Sequence, residues 1–217
     1  TITASNSEIV INAPSKEKAY DGTALTSDNA GPATVIMPAG FENYTAEVTM
    51  AGSVTNVSDS IDGTATNTIT NVIIKDPSGN DVTSQFARIT KNPGKLKITK
   101  RKVELRTGSK SKTYDGTALT YYNVTGVEGF VSGEASDFHA TGSITEVGAI
   151  ENKPITYTKG ANFKAENYEI TENYGKLEIT ENETPITVVA DSGSWMYDGQ
   201  SHTKDTAVVT GIPAGFT

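Results

Sequence analysis

Polar and apolar residues alternate with a period of two along much of the chain. Lys95–Thr99 reads KLKIT and Lys176–Thr180 reads KLEIT, which places Leu96 with Ile98, and Leu177 with Ile179, on one face of a strand. Ile9 and Ile11, Val103 and Leu105, and Ile186 and Val188 form the same kind of pair. No window of 11 residues carries a 3.6-residue period, so the pattern predicts strands almost throughout. The best helix candidate is SGEASDF, Ser132 to Phe138, one or two turns long. Between Ile74 and Val82 the stretch DPSGND predicts a hairpin-type turn with glycine available for positive φ. NPGK and NYGK read as similar turns that lead into the KLKIT and KLEIT strands.

The predicted elements repeat. AYDGTALT at Ala19 returns as TYDGTALT at Thr113, and a worn copy, MYDGQSHT, begins at Met196. Each Tyr-Asp-Gly is preceded by one of the apolar pairs above and followed by a Gly-Phe: Gly40-Phe41, Gly129-Phe130 and Gly215-Phe216. AGSVT at Ala51 answers TGSIT at Thr141, and GKLKIT at Gly94 answers GKLEIT at Gly175. So many landmarks in one order define a repeat. The first copy is nine residues longer between its Gly-Ser and its closing glycine, around SDSIDGTATNT. A surface loop or extended hairpin accommodates such an insertion cheaply, because closure entropy grows only with the logarithm of length.

Apolar parity changes at the junctions. Ile98 to Val103 is five residues, and Ile179 to Ile186 and Ile2 to Ile9 are seven each. An odd step moves a side chain to the opposite face, so the strand is expected to break or rotate there. The expected organisation is three units: residues 1–100, with the longer mid-unit loop; residues 101–183; and residues 184–217, the start of a third copy. A unit of this size can bury one modest core, roughly 60 to 65% of its unfolded surface. The third copy has an opening strand but no GKL-type closing strand, which would leave an open sheet edge. A continuation, a neighbouring chain or a different phase of the repeat would each resolve that. The expected fold class is all-β, built of tandem small β-sandwich modules, immunoglobulin-like or β-grasp-like, arranged end to end.

Tyr-Asp-Gly-Thr suits a turn: Asp accepts from the backbone two residues on, Gly takes φ > 0, and Tyr offers an apolar face with a hydroxyl for a core edge. A Tyr–Asp acid/base pair or sugar contact is the functional alternative, and the phrase brings no second catalytic partner to support it. Together with GFVSGE (Gly129 to Glu134), ENYEIT (Glu166 to Thr171), GKLEIT and DPSGNDVT (Asp76 to Thr83), the phrase resembles the YDG/MBG-type tandem repeats of bacterial cell-surface proteins and adhesins. The likeness covers the first two copies and the front of the third. It implies all-β modules that extend a protein from the cell surface, and it carries over no catalytic residue. Gln200-Ser201-His202 and the long first loop depart from the pattern.

Composition narrows the functional classes. Threonine is roughly one residue in seven, consistent with a pleated, half-buried surface. The net charge is −8 with no basic stripe, which argues against nucleic acid or an anionic membrane as partner. There are no cysteines, so a disulfide scaffold and a Cys-ligated metal are excluded. No apolar run reaches the roughly 18 residues of a membrane span, and TITASNSEIV lacks the features of a signal peptide. Without an initiator Met, the sequence reads as a piece of something longer.

Candidate chemistry is sparse. His139 and His202 are the only possible imidazole bases, and surface or edge positions suit both. P-loop, Rossmann and HExxH patterns are absent. Asp76 and Asp81 could form a weak calcium site, but the spacing is not that of an EF-hand and a plain turn is the simpler reading. Trp195 and Tyr197 could stack on a sugar or pack at a core edge; Tyr121 and Tyr122, being adjacent, point to opposite faces. Lys102 and Asn173 are conceivable partners for an isopeptide bond, although no spacing singles them out. The expectation is a chain with no catalytic, cofactor-binding or metal-binding residues: a non-enzymatic, secreted or cell-surface stalk whose units contact neighbouring units and present a distal adhesive region. Alternatives are an adhesin module that itself binds glycan or host protein, and an accessory segment of a secreted carbohydrate-active enzyme.

Overall fold

Alternation becomes strand wherever the apolar face finds a partner, and it does so over about half of the chain. The computed structural model describes residues 3–59 and 61–213, the Asp62 side chain excepted. Strands account for 51% and helix for 7%, an all-β fold class. Ile2 and the pair Gly215-Phe216 lie outside the described residues.

The first repeat contributes β1 (Ser5–Asn12), β2 (Lys16–Ala19), β3 (Leu25–Thr26), β4 (Thr34–Ile36), β5 (Thr45–Ala51), β6 (Ser53–Val54), β7 (Thr64–Lys75), β8 (Phe86–Asn92) and β9 (Gly94–Thr99), with a single helical turn α1 (Ser27–Ala30). β1 sits between β4, antiparallel, and β8, parallel, with Ile9 opposite Ile89 and Ile11 opposite Val35. A second sheet runs β2-β9-β7-β5, with β2 parallel to β9. Ile9 and Ile11 from the first sheet meet Ile69, Val72 and Ile74 from β7, and Phe86 closes the end of this core. Gly-Phe acquires a purpose here: the Phe41 ring stands edge-on to Phe86 at 5.0 Å.

The second repeat follows the same plan: β10 (Arg101–Thr107), β11 (Lys110–Thr113), β12 (Leu119–Thr120), β13 (Val124–Glu128), β14 (Ala135–Ala140), β15 (Ser143–Ile144), β16 (Gly148–Glu151), β17 (Ile155–Lys159), β18 (Tyr168–Asn173) and β19 (Lys176–Thr180). The order β13-β10-β18 repeats β4-β1-β8, and β11 lies parallel to β19 as β2 does to β9. Where the first copy has the single twelve-residue β7, the second has β16 and β17, separated by Asn152, Lys153 and Pro154. Proline has no N–H to give a ladder, so the strand divides there. β7 spans as many residues as β16 through β17; five of the nine extra residues precede Asn67, where two 3-10 turns, Val57–Asp59 and Ile61–Gly63, lead into β7, and four lie between Asn67 and Gly94; Ser60 is outside the described residues.

One expectation changes. SGEASDF is not helical: Ser132 and Gly133 turn, and Ala135 onward belongs to β14. Positive φ at Gly133 (80°) and Asp137 (54°) is incompatible with a right-handed helix through this segment. The α-helical turn found among the described residues, α1, falls instead in SDNA, where Asn29 Oδ1 accepts from the Thr26 backbone N–H at 2.8 Å. The DPSGND turn forms between β7 and β8, with Val82 N–H donating to Ile74 O at 2.8 Å. Strand pairing breaks at Lys100, between β9 and β10.

Contacts gather the chain into two compact units. One comprises Thr1–Val103, Glu128–Ala135 and Lys159–Thr171; the other comprises Glu104–Val127, Ser136–Thr158 and Glu172–Thr217. Two segments of the second repeat therefore belong to the same unit as the first. In the other unit, Leu119, Leu177 and Ile179 form a core with Tyr114, Tyr121 and Ile144 against it. That unit also carries the antiparallel ribbon β20 (Thr187–Ala190) and β21 (Ala207–Thr210), the opening of the third repeat. Its valines are exposed on both faces.

Candidate functional site

The recurring phrase folds as a self-contained turn. Asp21 Oδ1 accepts from the Thr23 N–H at 2.9 Å, from the Thr23 hydroxyl at 2.7 Å and from Lys18 Nζ at 2.7 Å, with Gly22 at φ 83°. Asp115 repeats this with Thr117 and Lys112, and Gly116 has φ 76°. The lysine two residues before each tyrosine is a part of the turn that sequence reading missed, although its spacing was there to be seen. Hydrogen bonding from Lys18, with Thr23 behind it, holds the Asp21 carboxyl down to about 2; Lys112 and Thr117 depress Asp115 likewise. A depressed carboxyl stabilises the fold above the unfolded value and loses that contribution as pH falls through the folded one. Both aspartates are well exposed, so the effect on stability is small. The expected result is an NMR titration of Asp21 near pH 2 that Lys18→Ala moves up toward the ordinary value of about 3.9; an unchanged midpoint would remove the lysine from the turn.

In the third copy the position of that lysine is Trp195, and His202 takes the place of Leu25 and Leu119. The indole and imidazole stack at 5.3 Å with 6° between planes, and His202 Nε2 lies 2.9 Å from Asp198 Oδ1. His202 and the Gln200 N–H, also 2.9 Å from Asp198 Oδ1, hold this aspartate where a lysine and a threonine hold the other two. Trp195 is 48% exposed, and Met196 and Tyr197 are more so.

Tyr20 does more than close a turn. It is 3% exposed, and its hydroxyl donates to Glu134 Oε1 at 2.7 Å. The other carboxylate oxygen, Oε2, accepts from the Tyr168 hydroxyl at 2.6 Å. Glu134, itself 4% exposed, is thus gripped by the turn tyrosine of the first repeat and the strand-opening tyrosine of the second. The two rings meet edge-on at 5.6 Å, Phe130 stands 5.1 Å from Tyr168, and Phe163 stacks on Tyr168 at 5.6 Å. Burial, and then the Glu134 carboxylate, push the Tyr20 hydroxyl up to about 12; Tyr168 is raised for the same reasons. Hydroxyls held this firmly in the protonated form fasten; they do not act as acids near neutrality. Nearby, Asn167 Oδ1 accepts from Val57 N–H at 2.9 Å and its Nδ2 donates to Asn56 at 2.9 Å. Here the longer first-repeat loop is tied down.

Sequence reading missed a second polar device, a buried asparagine in each repeat. Asn67 donates to Pro14 O at 2.9 Å and accepts from the Ser27 hydroxyl at 2.7 Å. Asn152, its counterpart, donates to Gly108 O at 3.0 Å and to Tyr121 O at 2.8 Å. Both are fully buried. Tyr121 occupies the position of Ser27, so no hydroxyl meets Asn152, and its Oδ1 has no hydrogen-bond partner in the protein. Polar neighbours in TNTITN and ENKP hide each asparagine among surface-like letters.

The remaining candidates are dispersed. Asp76 accepts from Asn80 Nδ2 at 3.0 Å and from the Ser78 and Asn80 N–H groups at 2.9 Å, and Asp81 from the Thr83 hydroxyl at 2.6 Å and the Thr83 N–H at 2.9 Å; the side-chain bonds first, then the backbone ones, lower both carboxyls. Among the described residues no group of three or more His, Cys, Asp and Glu could hold a metal ion. His139 is exposed, its Nδ1 3.0 Å from Asp137 O. Asn173 donates to Glu104 at 2.7 Å, Lys102 is exposed, and the buried polar residues include no lysine among those described. Tyr122 is exposed, whereas Tyr121 packs on the Leu119 core with Lys110 over its ring. No described helix is long and apolar enough to cross a membrane. Comparison with protein-family models, curated proteins and solved structures finds no match to this chain.

Proposed function

We propose that this chain is a non-enzymatic spacer from a bacterial cell-surface or secreted protein, made of tandem β-sandwich modules set end to end. It holds a distal binding region away from the surface, and its partners are its own neighbouring units. The observation that carries this reading is the buried joint at Glu134: the tyrosine of the recurring phrase in the first copy, Tyr20, grips a glutamate of the second. A fastener built from the repeat itself suits a load-bearing series, in which each interface adds nearest-neighbour stabilisation. The resemblance to YDG/MBG-type surface repeats and the acidic, cysteine-free composition point the same way. Single-molecule pulling tests it. The expected record has discrete unfolding steps that each release roughly 300 Å, the contour of 80 to 95 residues. A chain that extends smoothly, without steps, would overturn the proposal.

An adhesive role for the repeats themselves is favoured by one feature, the exposed Trp195-Met196-Tyr197 run. Under that reading a glycan array shows saturable binding that Trp195→Ala reduces at least about tenfold, a loss of about 1.4 kcal/mol. Under the spacer reading neither protein binds.

A further inference from the structure

The second junction reproduces the frame of the first. Gly129, at φ 101°, lies so close to the Lys102–Val103 backbone that a Cβ would stand 2.2 Å from Lys102 O. Gly211, at φ 82°, lies on Pro185–Ile186 in the same way, its Cβ position 2.3 Å from Pro185 O. Ile212 therefore takes the place of Phe130, one turn earlier than the Gly-Phe landmark in the sequence suggests. At the first junction the Arg101 guanidinium lies 3.4 Å from Tyr20 O; at the second, Asn182 Nδ2 lies 3.1 Å from Tyr114 O. The corresponding tyrosines differ in burial. Tyr20 is enclosed by Tyr168 and Glu134, whereas Tyr114 is half-buried and borders an open cleft of about 400 Å³ with Ile186, Val209 and Ile212.

The ribbon beside that cleft is matched strand for strand. β20 and β21 pair as β1 and β4 do: Val188 faces Val209 as Ile11 faces Val35. In the first repeat the other edge of β1 takes β8 in parallel, and its buried face lies on β7. Among the described residues the other edge of β20 pairs with nothing, and Ile186 and Val188 are 55% and 63% exposed where Ile9 and Ile11 are fully buried.

We infer that the cleft at Tyr114 and the free edge of β20 form one docking surface, and that its occupant is the closing half of a repeat module. The segment pairs parallel to β20, sets alternate apolar residues on Ile186 and Val188, and places its strand-opening aromatic in the cleft. This is strand addition with side-chain pockets for specificity. The occupant is defined by the two copies in this chain, where FARIT and YEIT strands cover the equivalent edge. The inference rests on the repeat geometry and holds whether the array is a spacer or an adhesin, so its failure leaves either role standing.

The test uses the whole 217-residue chain, labelled with nitrogen-15 and titrated with a synthetic peptide of residues 159–180. The expected result is saturable shifts of the Ile186–Ala190 amides, with half-saturation below about 1 mM. A peptide with Phe163, Tyr168 and Ile170 changed to Ser should not bind, and Val188→Asp in the chain should weaken binding at least about tenfold. Val188 is exposed, so that variant is expected to keep its fold, checked by unchanged amide shifts in the Leu119 core. No shifts, shifts elsewhere, or equal binding by both peptides would overturn the inference. So would concentration-dependent self-association through β20 that the peptide does not compete with, which would make the occupant a second copy.

Discussion

Replacing Glu134 with Ala is expected to destabilise the unit that contains it by about 3 kcal/mol. The substitution leaves two buried tyrosine hydroxyls, those of Tyr20 and Tyr168, without their acceptor. Stranding a buried donor costs about 1 to 3 kcal/mol, and hydrogen bonds to a charged group lie at the upper end. Glu134→Gln keeps one carbonyl acceptor and should lose about half as much. Urea denaturation monitored by tyrosine fluorescence measures both, and a loss under about 0.5 kcal/mol for the Ala variant would show that the joint is ornamental. The joint also has a pH signature. Tyr20 has its folded value raised above the unfolded value of about 10. Its contribution is therefore complete below pH 10 and is lost as pH rises to about 12. Glu134→Ala removes the carboxylate's share of the shift, so the alkaline loss in that variant should still begin near pH 10 but be smaller and end at a lower pH.

Gly94→Ala is expected to cost about 3 kcal/mol or more, and Gly175→Ala a similar amount. Neither glycine has positive φ, so the reason lies outside the backbone's own preferences. A Cβ on Gly94 would stand 2.1 Å from Pro14 O, and one on Gly175 would stand 2.4 Å from the Gly108 carbonyl. Those obstacles are backbone, so β9 or β19 must move away from its neighbour, and overpacking of this kind costs about 1 to 3 kcal/mol and occasionally more. The movement would also disturb Asn67, which sits opposite Gly94 in the ladder. Gly79 in the DPSGND turn is the control. Its φ is 86° with open space around it, so Gly79→Ala meets only the left-handed penalty of about 1 kcal/mol. Thermal unfolding of the three variants should rank Gly79→Ala mildest; equal effects would mean that close approach is not what the closing glycines provide.

Much of the fold was legible because its signals are local. Leu96, Ile98, Leu177 and Ile179 alternate with polar residues and are all buried. The Asp21 turn is closed within three residues, and DPSGND within five. Glu134 stands in GFVSGE with no partner nearby in sequence, since Tyr20 is 114 residues away. The same Tyr20 was legible as a turn residue and as a core-edge ring, but not as the donor in a joint.

The sequence alone determined that this protein is all-β, that one pattern of strands is written twice and begun a third time, and where its turns fall. Period-two alternation, turn residues and repetition act over a few neighbours and need no knowledge of the rest of the chain. Only the tertiary structure decided that β1 pairs in parallel with β8, that Asn67 and Asn152 go to the interior, and that Glu134 joins two tyrosines. The physical reason is that a polar side chain is buried only where distant groups converge to satisfy it, and convergence across 31 to 114 residues is a property of the packed fold.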